Sequence, residues 1–315
     1  MAEKHDTSHN IWASSGGSHN RTGMAKKVAL FVGKLLVSAA MLWFVFSRIG
    51  LDQVITLMSS AVWYWLLAAT ALFALSKWVS AIRLNHFFRA AGLHLPERIN
   101  LQLYLLGMFY NLFLPGGISG DAYKVILLRQ RKGATLKNLI TATLLDRVTG
   151  LVALVMITLL LLVLLPIPIH LRVMAALCIP LIPTIARWAL NRYFKVFTSL
   201  FLRTNLQSAA VQILQLLAAV CILKALHFDG DYTILLALFL VSSVMAVIPV
   251  SFGGAGAREF TFAVAATWLT LPDAAKETAI TLGLLFYLIT AAVSLTGVVF
   301  LFRPIKIPEN QPISS

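Results

Sequence analysis

Apart from Lys34, Lys77 and Lys224, which lie near the ends of apolar runs and can snorkel, five ionisable side chains fall inside otherwise apolar sequence: Asp121, Asp146, Arg147, Arg258 and Glu259, with Lys124 at the edge of one such stretch. A charge at the centre of a bilayer costs about 2.5–3.5 kcal/mol on insertion scales, so such groups pair with one another or serve a polar substrate or proton path. Asp146 and Arg147 are consecutive. Neighbours on a helix point about 100° apart, so these two do not pair with each other, and each needs a partner from another element. A fixed internal bridge such as Asp121 to Arg147 is one reading; substrate contact or a proton relay is the other.

Asp121 and Glu259 each end one of two matched stretches. The first reads Leu114-Pro115-Gly116-Gly117-Ile118-Ser119-Gly120-Asp121. The second reads Ile248-Pro249-Val250-Ser251-Phe252-Gly253-Gly254-Ala255-Gly256-Ala257-Arg258-Glu259. Proline and clustered glycines break helices. Broken backbone at membrane depth survives only where protein buries it or a watery cavity receives it. A pair of Gly/Pro-interrupted apolar segments, one per half of the chain, points to the binding site of a transporter. Free amides at the tips would form an anion-binding nest suited to phosphate. Asp121 and Glu259 either complement the positive end of a returning half-helix or face a ligand. Arg258 opposes that dipole and calls for an anion, from the protein or from a ligand.

The surrounding sequence sets the class. Apolar residues make up 59% of the chain and charged residues 12%, against roughly 25% charged in soluble domains; mean hydropathy is +0.84. A net charge of +14 would suit nucleic acid, but most of the cations fall in short loops between apolar runs, which excludes that reading. Cys178 and Cys221 lie in apolar runs and read as small buried hydrophobes. No metal-ligand spacing and no phosphate-loop motif is present, so no cofactor is expected. Residues 1–27 read as a disordered polar tail, 28–302 as the membrane domain and 303–315 as a second short tail.

Apolar runs cover about 28–47, 61–82, 99–114, 139–165, 171–189, 208–226, 232–250 and 278–302. Lys and Arg concentrate in alternate loops: Arg83, Arg89 and Arg98; then Lys124 to Lys137; then Arg187, Arg192, Lys195 and Arg203. The positive-inside rule places these loops, and both termini, in the cytoplasm. The segment 99–123 lies between two basic loops, and 232–270 between two acidic ones. The expectation is an all-α polytopic membrane protein of six spanning helices plus two opposed re-entrant helical hairpins, eight apolar segments in an inverted repeat. Two full crossings for either hairpin satisfy the same parity.

Three motifs carry a family resemblance: Asn111-Leu112-Phe113-Leu114-Pro115-Gly116-Gly117 with Gly120-Asp121; Leu145-Asp146-Arg147-Val148-Thr149-Gly150; and Ile248-Pro249-x-Ser251-x-Gly253-Gly254-x-Gly256-x-Arg258-Glu259. In them the chain resembles the flippase-like transmembrane domain of lysylphosphatidylglycerol synthases and their stand-alone relatives. The resemblance covers about 28–302 and implies a multi-pass protein of a bacterial plasma membrane that moves or handles polar lipids. The soluble aminoacyl-transfer domain of those synthases has no counterpart here, so lipid aminoacylation is not carried over, and a separate lipid-modifying enzyme is a possible partner. The expected ligand is a membrane phospholipid or lipid-linked substrate, held by Pro115, Gly116, Gly117, Gly120, Asp121, Asp146, Arg147, Pro249, Gly253, Gly254, Gly256, Arg258 and Glu259. The expectation is a transporter, not an enzyme. An intramembrane enzyme on a lipid or polyprenyl phosphate, near His86 and His94, and a scaffold for a lipid or glycan synthesis complex are the alternatives.

Overall fold

The computed structural model describes residues 55–56, 58–113, 119–129, 134–247, 260–262, 264, 272–303 and 305. Residues 1–54, with the first tail and the apolar run 28–47, the tips at Pro115–Gly117 and Pro249–Glu259, and the second tail apart from 303 and 305 lie outside the described residues, as does about half of the second expected hairpin. The described secondary structure is helical throughout. It comprises α1 (Trp63–Ala90), α2 (Glu97–Phe113), α3 (Ser119–Leu128), α4 (Leu136–Leu164), α5 (Ile169–Tyr193), α6 (Phe201–Ala225), α7 (Tyr232–Val247) and α8 (Asp273–Leu295). A 3-10 turn at Lys195–Leu200 leads into α6, and another at Thr296–Val298 carries α8 into a last helical turn, α9 (Val299–Phe302).

Among the described residues five helices are long and apolar enough to cross a membrane: α1, α4, α5, α6 with its leading 3-10 turn, and α8 continued to Phe302. They coincide with five of the six spans expected from hydropathy. Their ends differ, because hydropathy ends where polar residues begin, whereas a helix ends where its hydrogen bonds are capped. α1 continues past residue 82 to Ala90 and closes at Gly92 (φ 91°), where the Leu93 amide donates to the Phe88 carbonyl at 2.9 Å. α4 starts at the Thr135 cap, whose hydroxyl accepts from the Asn138 amide at 3.2 Å. The basic loop expected near 187–203 is instead nearly all helical: Arg187 and Arg192 belong to α5, Lys195 to the 3-10 turn and Arg203 to α6.

α1 and α6 run antiparallel. The Val62 amide at the start of α1 donates to the Ala225 carbonyl at the end of α6, 2.9 Å away, and the Lys224 ammonium lies 4.6 Å from the Trp65 ring centroid. The aromatic opening Trp63-Tyr64-Trp65 suits an interfacial belt. α5, with Pro180 and Pro183 inside it, buries little beyond Ala175 and Leu190 and forms the rim of the bundle.

Two apolar cores hold the helices together. One joins Phe73 of α1, Ile222 and Leu223 of α6, Phe239 of α7 and Phe286 of α8. The other joins Phe87 and Phe88 of α1, Leu103 of α2, Leu128 of α3 and Leu139 of α4. Phe286 makes edge-on contacts with Phe73 (5.4 Å between centroids) and Phe239 (4.7 Å). Phe286→Ala is expected to cost about 3–5 kcal/mol, read as a lower unfolding midpoint in detergent; a neutral result would contradict this packing.

Three of these helices carry small or polar residues at helical spacing. α1 presents Ser76, Ser80 and Arg83; α4 presents Thr143, Asp146 and Gly150; α6 presents Thr204, Ser208 and Gln212. These stripes meet in a buried polar layer.

Candidate functional site

The helical hairpin α2–α3 supplies one wall of that layer. α3 has 10 residues, about 15 Å at 1.5 Å per residue, and α2 has 17, about 25 Å. The two run antiparallel, since position 120 meets 107 and 111 while Lys124 lies over the Tyr104 ring, 5.1 Å from its centroid. Gly120 sits so close to α2 that an added Cβ would stand 1.9 Å from the Gly107 carbonyl oxygen. The Gly120 amide, an unpaired donor at the start of α3, donates instead to the Asn111 side-chain oxygen at 2.8 Å. Ser119 donates to the Tyr110 carbonyl at 3.1 Å. Asn111 thus caps the returning helix from across the hairpin, which leaves Asp121 for other partners.

Asp121 has two. The Lys124 ammonium is 2.7 Å from Oδ1, and Arg147 Nε donates to Oδ2. The bridge between Asp121 and Arg147, one of the two readings the sequence left open, is therefore present. Asp146 finds its partner on α1: Arg83 Nε donates to Asp146 Oδ1 at 2.7 Å, and Arg83 Nη1 donates to Ser208 Oγ at 2.6 Å. Adjacent Asp146 and Arg147 thus reach different elements, as their 100° offset requires. Gly150, one turn further along α4, leaves room for the Arg83 guanidinium, whose nitrogens would lie 3.4 Å from a Cβ there.

Two expectations are corrected here. Arg83 was placed in a cytoplasmic loop, but it lies within α1, seven residues before its end, and is 5% exposed. Lys124 was placed at a loop edge, but it lies within α3 and is 4% exposed. A cation close to the end of a hydropathy run reads as a topological signal. The better signal was its register: Ser76, Ser80 and Arg83 recur every three to four residues on one face of α1, as Thr204, Ser208 and Gln212 do on α6. Polar residues at that spacing in an apolar helix mark a buried polar face.

These groups line a cavity of about 450 Å³, within the roughly 300–1,000 Å³ of small-molecule sites. Four cations border it, Lys77, Arg83, Lys124 and Arg147, together with Asp121 and Asp146. Tyr104, Asn111, Gln212, Gln215, Tyr287 and Thr290 add neutral polar groups, and Met108, Leu151, Leu154, Val211 and Val247 an apolar wall. Asp146 lies ten residues into α4, about 15 Å along a helix some 43 Å long, so the cavity sits well inside the spans. Of the expected site residues, the structure gathers Asp121, Asp146 and Arg147 at this cavity, with Gly120 behind it as the hairpin contact. Pro115, Gly116, Gly117, Pro249, Gly253, Gly254, Gly256, Arg258 and Glu259 lie outside the described residues. His86 is buried in α1 and does not border the cavity; among the described residues no cluster of His, Cys, Asp and Glu could hold a metal.

The family described as the lysylphosphatidylglycerol synthase TM region matches residues 31–297. The chain belongs to this family. No curated protein matches it. The matched range includes all three motifs, every residue bordering the cavity and both apolar cores of this lysylphosphatidylglycerol synthase transmembrane region. It identifies an integral, multi-pass membrane protein.

Proposed function

We propose that the cavity receives the phosphate-bearing headgroup of a membrane lipid and passes it between the leaflets while the acyl chains stay in the bilayer. The observation that carries this reading is the group of four cations and two carboxylates gathered at one cavity, with Arg83, Lys124 and Asp146 buried and Lys77, Asp121 and Arg147 partly exposed beside them. Charges that deep need a use beyond stability, because ion pairs there do little better than apolar residues of the same size. Access from the side is supported by Leu144 and Val148, which are 57% and 50% exposed on α4 one helical turn apart, next to Arg147. Val148 also borders the cavity, so its wall is continuous with the outer face of the bundle.

In this reading α2–α3 is a re-entrant hairpin. Neither arm, at about 25 and 15 Å, matches a hydrocarbon core of about 30 Å. The segment from α7 through Pro249, Gly253, Gly254, Gly256, Arg258 and Glu259 is its inverted counterpart. The tip amides around Pro115–Gly117 and this second tip would complete the phosphate site, with Arg258 as a further cation. The chain sits in a bacterial plasma membrane with both termini cytoplasmic, acts as a carrier without chemistry of its own, and takes lipid from a separate synthetic enzyme.

The test is transbilayer movement of fluorescent phospholipids in proteoliposomes, followed by headgroup quenching with dithionite. Arg147→Ala is expected to slow protein-dependent movement by about tenfold or more, since one close cation contributes on the order of a few kcal/mol to holding a phosphate at an intermediate dielectric. Equal rates for the variant and the wild type would overturn the assignment.

A further inference from the structure

The polar stripe of α6 changes character along the helix. Ser208, Gln212 and Gln215 recur every three to four residues and so share one face. Ser208 accepts from Arg83, which also holds Asp146. Gln212 and Gln215 lie about 6 and 10 Å further along the axis, and both border the cavity. α8 turns Tyr287, Thr290 and Ser294 to the same cavity. An amide in an apolar spanning helix is costly unless it is paired. Gln212 is paired weakly, its Nε2 standing 3.5 Å from the Gly150 carbonyl oxygen. Gln215, half-buried, has no hydrogen bond among the described residues. Thr290 donates its proton to the Phe286 carbonyl at 2.9 Å, so its oxygen can still accept.

We infer that the headgroup carries a hydroxylated ring, a sugar or cyclitol, on its phosphate, and that Gln212, Gln215 and Thr290 bind the ring hydroxyls while the phosphate stays beside Arg83 and Arg147. This rests on the lipid-carrier reading above and names the class of lipid. A carboxamide offers donors and an acceptor together. A phosphate oxygen only accepts and an ammonium only donates, so each would leave one end of the glutamine amide unused. A hydroxyl does both, and two neighbouring hydroxyls can meet the two ends of one amide. The groups stand on two helices, α6 and α8, which share the first apolar core. Packed helix axes lie about 8–10 Å apart. Hydroxyls spread around a ring can reach both helices at once, whereas those of a short chain lie side by side.

The inference is tested with the full chain in detergent micelles, titrated separately with phosphatidylinositol, phosphatidylglycerol, phosphatidylmethanol and glucose 1-phosphate, and read as the rise in thermal midpoint. The three lipids carry the same charge and differ in their hydroxyls, so the comparison is independent of the field in the cavity. Half-saturation by phosphatidylinositol is expected at a concentration about tenfold or more below that of phosphatidylmethanol, with phosphatidylglycerol between them, the factor that two net hydrogen bonds supply. Gln215→Leu is expected to shrink that ratio by about fivefold, one hydrogen bond having been lost. If Gln215→Leu does not yield folded protein, Thr290→Val makes the same test from α8. A ratio that survives the substitution intact would overturn the assignment of the hydroxyls to this wall. Equal half-saturation by the three lipids would overturn the inference and leave the lipid-carrier reading standing. Protection by glucose 1-phosphate equal to that by phosphatidylinositol would support the hydroxyl preference and overturn the lipid-carrier reading.

Discussion

Gly120→Ala is expected to destabilise the chain by about 2 kcal/mol or more, although alanine is the better helix former. The gain in helix propensity is about 1 kcal/mol. Against it stands a methyl group 1.9 Å from the backbone oxygen of Gly107, with the Gly107 carbonyl carbon at 2.6 Å. Those atoms belong to a helix backbone and cannot rotate away, so α2 and α3 must separate by more than an ångström. Overpacking of that kind costs about 3 kcal/mol or more. Separation also breaks the bond from the Gly120 amide to Asn111 and moves Asp121 away from Arg147. Gly107→Ala is the control. Its methyl would first meet the Lys124 Cε at 3.0 Å, the far end of a flexible side chain, and only then the Gly120 oxygen at 3.4 Å. That variant should lose about 1 kcal/mol or less. Thermal unfolding of the two purified variants beside wild type decides the matter: the antiparallel hairpin contact is refuted if Gly120→Ala unfolds no earlier than Gly107→Ala.

The same glycine shows where sequence reasoning reached and where it stopped. Gly120 stood out as part of a helix-breaking tip, yet the structure places it inside α3, where its lack of a side chain admits α2. Composition marks a glycine but does not say whether the backbone turns there or another backbone approaches. Gly297 is another such close contact: a Cβ there would stand 2.2 Å from the Leu105 carbonyl oxygen. The five described spans were legible because hydropathy over some twenty residues is a sum that no single residue upsets. The partner of Arg147 was legible as well. Adjacent opposite charges on one helix must look elsewhere, and Asp121, read as a helix-end complement or a ligand contact, was also the anion named for such a bridge. The partner of Asp146 was not, because Arg83 is 63 positions away and stands next to the end of its hydropathy run. Local pattern assigns such an arginine to the loop that follows. Its neighbours Ser76 and Ser80, small and polar at helical spacing, carry the opposite signal.

That pairing supports the second large effect. Asp146→Leu is expected to destabilise the chain by about 3–5 kcal/mol, because it leaves the Arg83 guanidinium buried without its anion. Ser208 still accepts one bond from it, but a hydroxyl does not neutralise a charge. The double variant Arg83→Met with Asp146→Leu should recover most of the loss, since buried ion pairs replaced by apolar residues of similar volume are often neutral or stabilising. Recovery of stability and recovery of transport then separate. If the pair serves only to hold α1 against α4, the double variant should move lipid at the wild-type rate. If Arg83 faces the headgroup, the double variant should be as stable as wild type and slower by about tenfold or more in the dithionite assay, one cation having left the site. The second outcome is expected. The net charge bordering the cavity is unchanged by the double replacement, because one cation and one anion leave together, so a loss of rate cannot be ascribed to the overall field. It must come from the pair itself, and the guanidinium offers a phosphate a fixed planar fork of N–H groups. A double variant that is stable and fully active would reduce Arg83 and Asp146 to a structural clasp and shift the site toward Lys124 and Arg147.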